Sequence, residues 1–275
     1  MTAANHPVSE HSVPSAGAVL KVRACGKGPT LVLVPSLARP ASDFDAFLQT
    51  LAGAGYRAVA VSLRGIEGST GSYAGGSVRT MAADVAAVID SAVIDSQSHG
   101  GNAPVHIIGH ALGNGVVRCV ATDFPDKVKS VTLLAAGGRI PGKPEAMQAF
   151  ARALKKPLSD AEWVRAMHDS GFFARKSDPM LWRTDWWLDV ADEHRTAFTA
   201  TPSEHWWAAG GKPLLIVQGL EDGVAPPDNG WAMQREFGAR VTLVDLPDAG
   251  HALLPEQPAA LAAAVIGFLN RMEGR

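Results

Sequence analysis

Two residues capable of acid–base chemistry follow apolar segments in the second half of the chain. Asp222 comes shortly after the segment LLIVQ, and His251 comes shortly after VTLVDL. A carboxylate that accepts a hydrogen bond from one imidazole nitrogen fixes the histidine tautomer and stabilises the imidazolium. The second nitrogen can then remove a proton from water or from a substrate. The sequence therefore predicts that Asp222 and His251 form a general-base dyad.

A third segment, GHALG at residues 109–113, follows the apolar segment VHII and precedes a helical pattern. This is the strand–turn–helix context of the G-x-S-x-G motif, with Ala111 at the position of the nucleophile. Ala111, Asp222 and His251 therefore occur in the chain order nucleophile position, acid, histidine, which is one of the known orders of a catalytic triad. Alanine has no hydroxyl, so a covalent acyl-enzyme cannot form at residue 111.

Short apolar segments alternate with helical patterns along most of the chain. The predicted strands are residues 18–24, 30–34, 58–63, 104–108, 128–135, 213–218 and 241–246. Such regular alternation predicts an α/β fold, with a mostly parallel sheet and helices on both of its faces.

Residues 139–211 interrupt this alternation and show only helical patterns. Ser159 and Glu162 form a predicted capping box, and six of the seven tryptophans lie in this region. A helical insertion in an α/β sheet is typical of a lid over the active face. We therefore expect residues 139–211 to form a cap, residues 17–138 and 212–275 to form the core, and residues 1–16 to form a loose tail.

The composition is that of a globular protein, with 47% apolar and 19% charged residues among 275. The net charge of −2 and the lack of a basic run argue against a nucleic-acid partner.

We find neither a signal peptide nor an apolar run long enough to span a bilayer, so we expect no membrane partner. Cys25 and Cys119 are far apart, as expected of reduced thiols in a cytoplasmic protein. The oligomeric state stays open.

Five segments taken together resemble the α/β-hydrolase fold superfamily: LVLVPSLARPASDF, LRGIEGSTG, GHALGNG, QGLEDGVAPP and AGHALLPEQP. The resemblance covers nearly the whole chain after the tail. It implies an eight-stranded sheet, a helical cap after the sixth strand, and a pocket between cap and core. It also implies that His110 packs beside the elbow and that the N–H groups of Leu37 and Leu112 form an oxyanion hole. Pro35-Ser36 replaces the usual His-Gly, but backbone donors do not need particular side chains.

Several further residues are candidates for substrate binding. Ser36 offers a hydroxyl, Arg39 a guanidinium for a carboxylate, and Asn114 an amide in the first turn of a helix. Aromatic side chains often line small-molecule pockets, so four tryptophans are also candidates: Trp163, Trp186, Trp187 and Trp206. The alternative is that Ser36 caps a turn, Arg39 is solvated and the tryptophans join the cap to the core. No metal spacing, phosphate loop or complete dinucleotide motif occurs, so we expect no metal and no cofactor.

Three hypotheses for function follow. In the first, the dyad acts on a small, largely apolar ester, lactone or related carbonyl compound. In the second, the same dyad serves a cofactor-free dioxygenase, a lyase or a C–C hydrolase. In the third, the chain is an inactive binding protein, or an esterase whose serine was replaced by alanine at position 111. A small-molecule ligand is expected in every case.

Overall fold

The computed structural model describes residues 6–91, 93–94, 103–155 and 157–275. These residues form an eight-stranded sheet with the order β1-β2-β4-β3-β5-β6-β7-β8. The strands are β1 (Ser9–Ser15), β2 (Ala18–Cys25), β3 (Thr30–Val34), β4 (Arg57–Val61), β5 (Val105–His110), β6 (Val128–Leu134), β7 (Leu214–Gly219) and β8 (Val241–Leu246). Neighbouring strands from β4 to β8 pair in parallel, while β1 and β2 form an antiparallel edge. The predicted mostly parallel sheet is confirmed.

Helices cover both faces of this sheet. The α-helices are α1 (Asp45–Gly53), α2 (Val78–Ile89), α3 (Leu112–Asp123), α4 (Pro144–Lys155), α5 (Asp160–Asp169), α6 (Ala191–Thr199), α7 (Ser203–Trp206), α8 (Asp228–Phe237), α9 (Leu253–Glu256) and α10 (Pro258–Glu273). Residues of α2 and α3 pack in one core cluster, and residues of α1 and α10 pack in the other.

The central strand β3 shows why the sheet needs two covering layers. All five residues of its TLVLV sequence are buried. Successive side chains of a strand point to opposite faces, so Val32 and Val34 join the cluster with α2 and α3, while Leu31 and Leu33 join the cluster with α1 and α10. A parallel sheet of this kind is buried on both sides.

The expected loose tail is partly wrong, because residues 9–15 form the edge strand β1. This strand pairs with β2 in antiparallel register, from Ser9 opposite Ala24 to Ser15 opposite Ala18. Within β1 only Val13 is buried, so the segment carries almost no apolar pattern. Its order comes from backbone hydrogen bonding along β2, which a search for apolar segments does not detect.

A helical segment lies between β6 and β7, after the sixth strand, and contains α4, α5, α6 and α7; we refer to this segment as the cap. The predicted capping box is present, since the Ser159 side chain accepts from the Glu162 N–H at the start of α5. Among the described residues no strand occurs between β6 and β7. No helix in the described ranges is both long enough and apolar enough to cross a bilayer.

The parallel strands bring the chemically interesting segments to one edge of the sheet. The loops after β3, β5, β7 and β8 all leave from the carboxyl ends of their strands. They contain, in chain order, Leu37, Ala111, Asp222 and His251. Ligands of open α/β sheets bind at this edge, so the topology alone places the predicted site there.

Replacing Gly113 with alanine tests how closely α3 approaches the loop after β3. A Cβ at Gly113 would lie 2.3 Å from the Val34 carbonyl oxygen and 2.8 Å from that of Pro35. We expect Gly113→Ala to lower the free energy of unfolding by roughly 1–3 kcal/mol, measured by urea denaturation. In the control Gly53→Ala, the added Cβ meets no atom within 4 Å. Equal stability of the two variants would contradict the close approach.

Candidate active site

His251 and Asp222 are joined by a buried hydrogen bond. His251 Nδ1 lies 2.8 Å from Asp222 Oδ2, and both residues are less than 5% exposed. The other carboxylate oxygen, Oδ1, accepts from the backbone N–H groups of Val224 (2.9 Å) and Ala225 (2.8 Å). A carboxylate can only accept here, so Nδ1 is the protonated ring nitrogen. Nε2 has no hydrogen-bond partner among the described residues, and His251 lines a cavity.

The backbone of His251 is held by the cap and by the elbow strand. Its N–H donates to the Phe172 carbonyl (2.9 Å), and its own carbonyl accepts from His110 Nε2 (2.8 Å). Burial lowers the pKa of His110 to about 3, so its imidazole is neutral. His110 is therefore a positioning residue rather than a base, in line with the packing role expected for it.

The elbow keeps an unusual backbone conformation without a nucleophile. Ala111 has φ 52° and ψ −111°, outside the regions that alanine prefers. Its N–H donates to the Leu134 carbonyl (3.1 Å), and its carbonyl accepts from Asn114 N (2.9 Å). A left-handed non-glycine residue costs about 1–3 kcal/mol, so neighbouring structure must hold it in place. The methyl group of Ala111 lines the same cavity as His251.

Two backbone donors lie beside Ala111. Leu37 and Leu112 both line the cavity, and neither N–H donates a hydrogen bond within the described part of the chain. Leu112 is the first residue of α3, where N–H groups are free and the helix dipole favours negative charge. These two amides are the expected donors to an oxyanion.

The cavity has a volume of about 360 Å³, and the cap forms its apolar wall. Met147, Phe150 and Leu154 come from α4, and Phe198 comes from α6. Ser36 also lines the cavity, as expected of a residue beside the oxyanion loop. A compartment of this size and character suits a small, largely apolar molecule.

The structure does not place Arg39 at this cavity. Its guanidinium is buried and binds both oxygens of Asp43, at 2.6 and 2.7 Å, as well as the Thr184 carbonyl. It also stacks against Trp182 and Trp186, 4.7 and 4.8 Å from the ring centroids. Neither the solvated surface residue nor the substrate clamp considered for Arg39 fits these contacts. Arg39 joins the oxyanion loop to the cap.

Asn114 also lies outside the cavity wall. Its side-chain amide donates to the carbonyls of Leu134 and Ala135, both at 2.9 Å. The residue is fully buried. These bonds hold the start of α3 against the end of β6, so the amide is not available as the expected donor to a ligand.

The four candidate tryptophans are absent from the residues that line this cavity. Trp163 and Trp186 line a second cavity beside Arg183. Trp187 donates its backbone N–H to Ala38 O (3.0 Å), and Trp206 is buried. The aromatic wall expected from these four residues is therefore not part of the cavity that contains His251.

Sequence reasoning missed two kinds of cavity residue. The aromatic lining comes from Phe150 and Phe198, which a search focused on tryptophan passed over. The cavity is also lined by Arg118, a fully buried arginine on α3. The sequence signal that could have revealed Arg118 is the single charged residue in the otherwise apolar stretch GVVRCVA.

Comparisons with known proteins agree with this architecture. Residues 29–258 match the family model described as the alpha/beta hydrolase fold. The chain is 27% identical over 265 residues to "Putative carbamate hydrolase RutD" of Variovorax paradoxus (strain S110), covering 89% of this chain and 93% of that protein. It is 26% identical over 234 residues to "Putative non-heme bromoperoxidase BpoC" of Mycobacterium tuberculosis (strain CDC 1551 / Oshkosh), covering 78% and 83%.

Among solved structures, the chain is similar to naproxen esterase (carboxylesterase NP) from Bacillus subtilis. The TM-score is 0.77, with 19% sequence identity, and the match covers 96% of this chain and 92% of that one. At this identity the likeness concerns the fold.

Replacing Arg39 with methionine tests its role as a link between loop and cap. The change leaves the buried Asp43 carboxylate without its partner, so we expect a loss of about 3–5 kcal/mol in the free energy of unfolding. The matched control is Arg183→Met, whose partner Asp160 is exposed; that pair should contribute less than about 1 kcal/mol. Urea denaturation measures both, and a small effect at Arg39 would argue against the link.

Proposed function

The chain belongs to the α/β-hydrolase fold family, and on that premise we propose that it hydrolyses a small ester, lactone or related carbonyl compound. The observation that carries this proposal is the dyad. His251 Nδ1 is hydrogen-bonded to Asp222, and Nε2 has no hydrogen-bond partner among the described residues. The cavity that His251 lines is also lined by Leu37 and Leu112, whose N–H groups donate no hydrogen bond in the described ranges. A related protein is named a carbamate hydrolase, which is chemistry at the same kind of carbonyl group.

The proposed reaction uses water directly. His251 Nε2 removes a proton from a water molecule as its oxygen attacks the substrate carbonyl carbon. The carbonyl oxygen becomes an oxyanion that accepts from the N–H groups of Leu37 and Leu112. Asp222 stabilises the imidazolium. The tetrahedral intermediate then collapses, the bond to the leaving group breaks, and His251 returns the proton to that group.

Direct attack by water follows from the residues at the elbow. Ala111 cannot form an acyl-enzyme, and its small side chain leaves room between His251 and the oxyanion donors. Ser36 is another hydroxyl on the cavity wall, but no hydrogen bond joins it to His251 in the described ranges, so it has no adjacent base. In serine proteases the oxyanion hole and binding alone give on the order of 10³-fold over water. Hydrolysis without serine is therefore physically reasonable.

A second candidate function uses the same free Nε2 on the substrate instead of water. With no serine hydroxyl at position 111, an acidic C–H or O–H of a bound substrate can take the place next to His251. This is the chemistry of the cofactor-free dioxygenase, lyase or C–C hydrolase alternative. Oxygen uptake without hydrolysis, measured with an enolisable heteroaromatic substrate, would favour it.

Replacing His251 with glutamine tests the role of the base. General-base catalysis contributes roughly 10²–10⁴-fold, so we expect kcat/KM for an activated aryl ester to fall by that factor. The matched control is His205→Gln, which changes a half-buried histidine bonded to Asp123 on α3 and should leave kcat/KM unchanged. If His251→Gln keeps full activity while folded, the dyad is not the base.

Replacing Ala111 with serine tests whether the remaining parts form a complete triad. The new hydroxyl lies beside His251 in the same cavity, so we expect a burst of aryl alcohol and a rise in kcat of at least about tenfold. Ala111→Gly removes the methyl group without adding a nucleophile and should show no burst. A silent serine variant that binds substrate normally would contradict the proposed geometry.

A further inference from the structure

Arg118 is a charged residue that the proposed reaction does not use. It lies in α3, is 1% exposed, and lines the same cavity as Ala111 and His251. Arginine is rarely buried this fully unless a partner neutralises it.

Among the described residues, every group that Arg118 contacts is neutral. Nε donates to the Asn114 carbonyl (3.0 Å), Nη2 donates to the Gly137 carbonyl (2.6 Å), and Nη1 lies 3.8 Å from the sulfur of Met233. The guanidinium also stacks on Trp206, 4.4 Å from the ring centroid. Within the described ranges no carboxylate lies at ion-pair distance from it. A guanidinium carries five N–H donors, so these contacts leave donors unused.

Two other arginines near the cavity have carboxylate partners of their own. Arg139, which stacks on Trp207 outside the cavity, pairs with Glu236 (2.8 Å), and Arg195 on the cavity wall pairs with Asp192 (2.5 Å). No aspartate or glutamate is among the described lining residues. Burial, followed by repulsion from Arg139, lowers the pKa of Arg118 to about 9. An unpaired buried charge costs several kcal/mol, and an anion placed beside it would offset that cost.

The Arg118 guanidinium lies near the start of α3, because it donates to the carbonyl of Asn114, three residues after Ala111. Three residues of an α-helix rise about 4.5 Å along its axis. The second carbonyl partner of Arg118, Gly137, itself lines the cavity. One substrate molecule would thus place its anionic group at Arg118 and its carbonyl at the N–H groups of Leu37 and Leu112, with a few bonds between the two groups.

We propose that the cavity takes a substrate carrying a carboxylate, which pairs with Arg118 while the scissile carbonyl lies at His251. That the group at His251 is an ester carbonyl rests on the proposed hydrolytic function. With it, the substrate class narrows to monoesters of short dicarboxylic acids. The planar guanidinium matches a carboxylate through paired hydrogen bonds. The apolar side chains of α4 and α6 then contact the rest of the molecule.

Two esters of the same acyl length test this on the unmodified protein. The acyl chain of 4-nitrophenyl hydrogen glutarate ends in a carboxylate, and that of 4-nitrophenyl valerate ends in a methyl group. Hydrogen bonds to charged groups contribute about 1.5–3 kcal/mol, so we expect kcat/KM to favour the glutarate ester by roughly 10- to 100-fold. Equal kcat/KM values for the two esters would overturn the inference.

Variants then assign the preference to one residue. Arg118→Met should bring the ratio of the two kcat/KM values to about one, and Arg118→Lys should leave a reduced preference, because the charge stays and the planar fork is lost. The matched control is Arg139→Met, which removes a cation stacked on Trp207 but outside the cavity; its ratio should stay within about threefold of the original. A glutarate preference that persists in folded Arg118→Met would place the anion elsewhere and refute the proposal. If Arg118→Met does not fold, the ratio of the two kcat/KM values, measured for the unmodified protein and for Arg118→Lys, still tests the proposal.

Binding of glutarate itself separates this inference from the proposed function. Isothermal titration calorimetry on the unmodified protein and on the control Arg139→Met should give the same affinity, with at least tenfold weaker binding to folded Arg118→Met. If glutarate binds in this way but neither ester is hydrolysed, the hydrolytic function fails and the carboxylate site stands. If both esters are hydrolysed equally and glutarate does not bind, the carboxylate site fails and the hydrolytic function stands.

Discussion

One hydrogen bond of 2.8 Å joins His251 to Asp222. Contacts along the carboxyl edge of the sheet hold these two residues in place. The partly buried carboxylate of Glu256 accepts from Gly250 N (2.9 Å), next to the histidine, and from Ala174 N (2.7 Å) in the cap. Burial raises the pKa of Glu256, and these two N–H donors partly counter that effect. The histidine loop and the cap are therefore held by the same side chain, so the geometry of the dyad depends on how the cap docks on the core.

The elbow retains its architecture without the hydroxyl that this architecture usually serves. Ala111 still adopts a positive φ, and Leu112 still presents a free N–H at the start of α3. In our proposal the N–H of Leu112, at this strained turn, donates to an oxyanion whatever side chain occupies position 111. This separation of backbone function from side-chain function is why water can take the role of the nucleophile in our account.

The alternation of strands and helices and the three short motifs at the carboxyl edge could be predicted from the sequence, because local patterns encode them. The remaining features depend on partners distant in the chain. Val13 is the one buried residue of β1, so the pattern of that strand was too weak to detect. Trp206 and Arg39 were natural pocket candidates by type, yet each stacks in a contact between cap and core. The sequence marks Arg118 only as a charged residue within the stretch GVVRCVA, since its burial without a counter-charge is a property of the fold.

In the proposed mechanism, His251 activates water and no covalent intermediate forms. Intact-protein mass spectrometry of a turnover mixture, acid-quenched while an activated aryl ester is being consumed, tests this most directly. We expect product to accumulate while the protein keeps its unmodified mass at every time point. An acyl adduct that appears and decays at the rate of turnover, mapped to Ser36 or to any other side chain, would rule out direct attack by water.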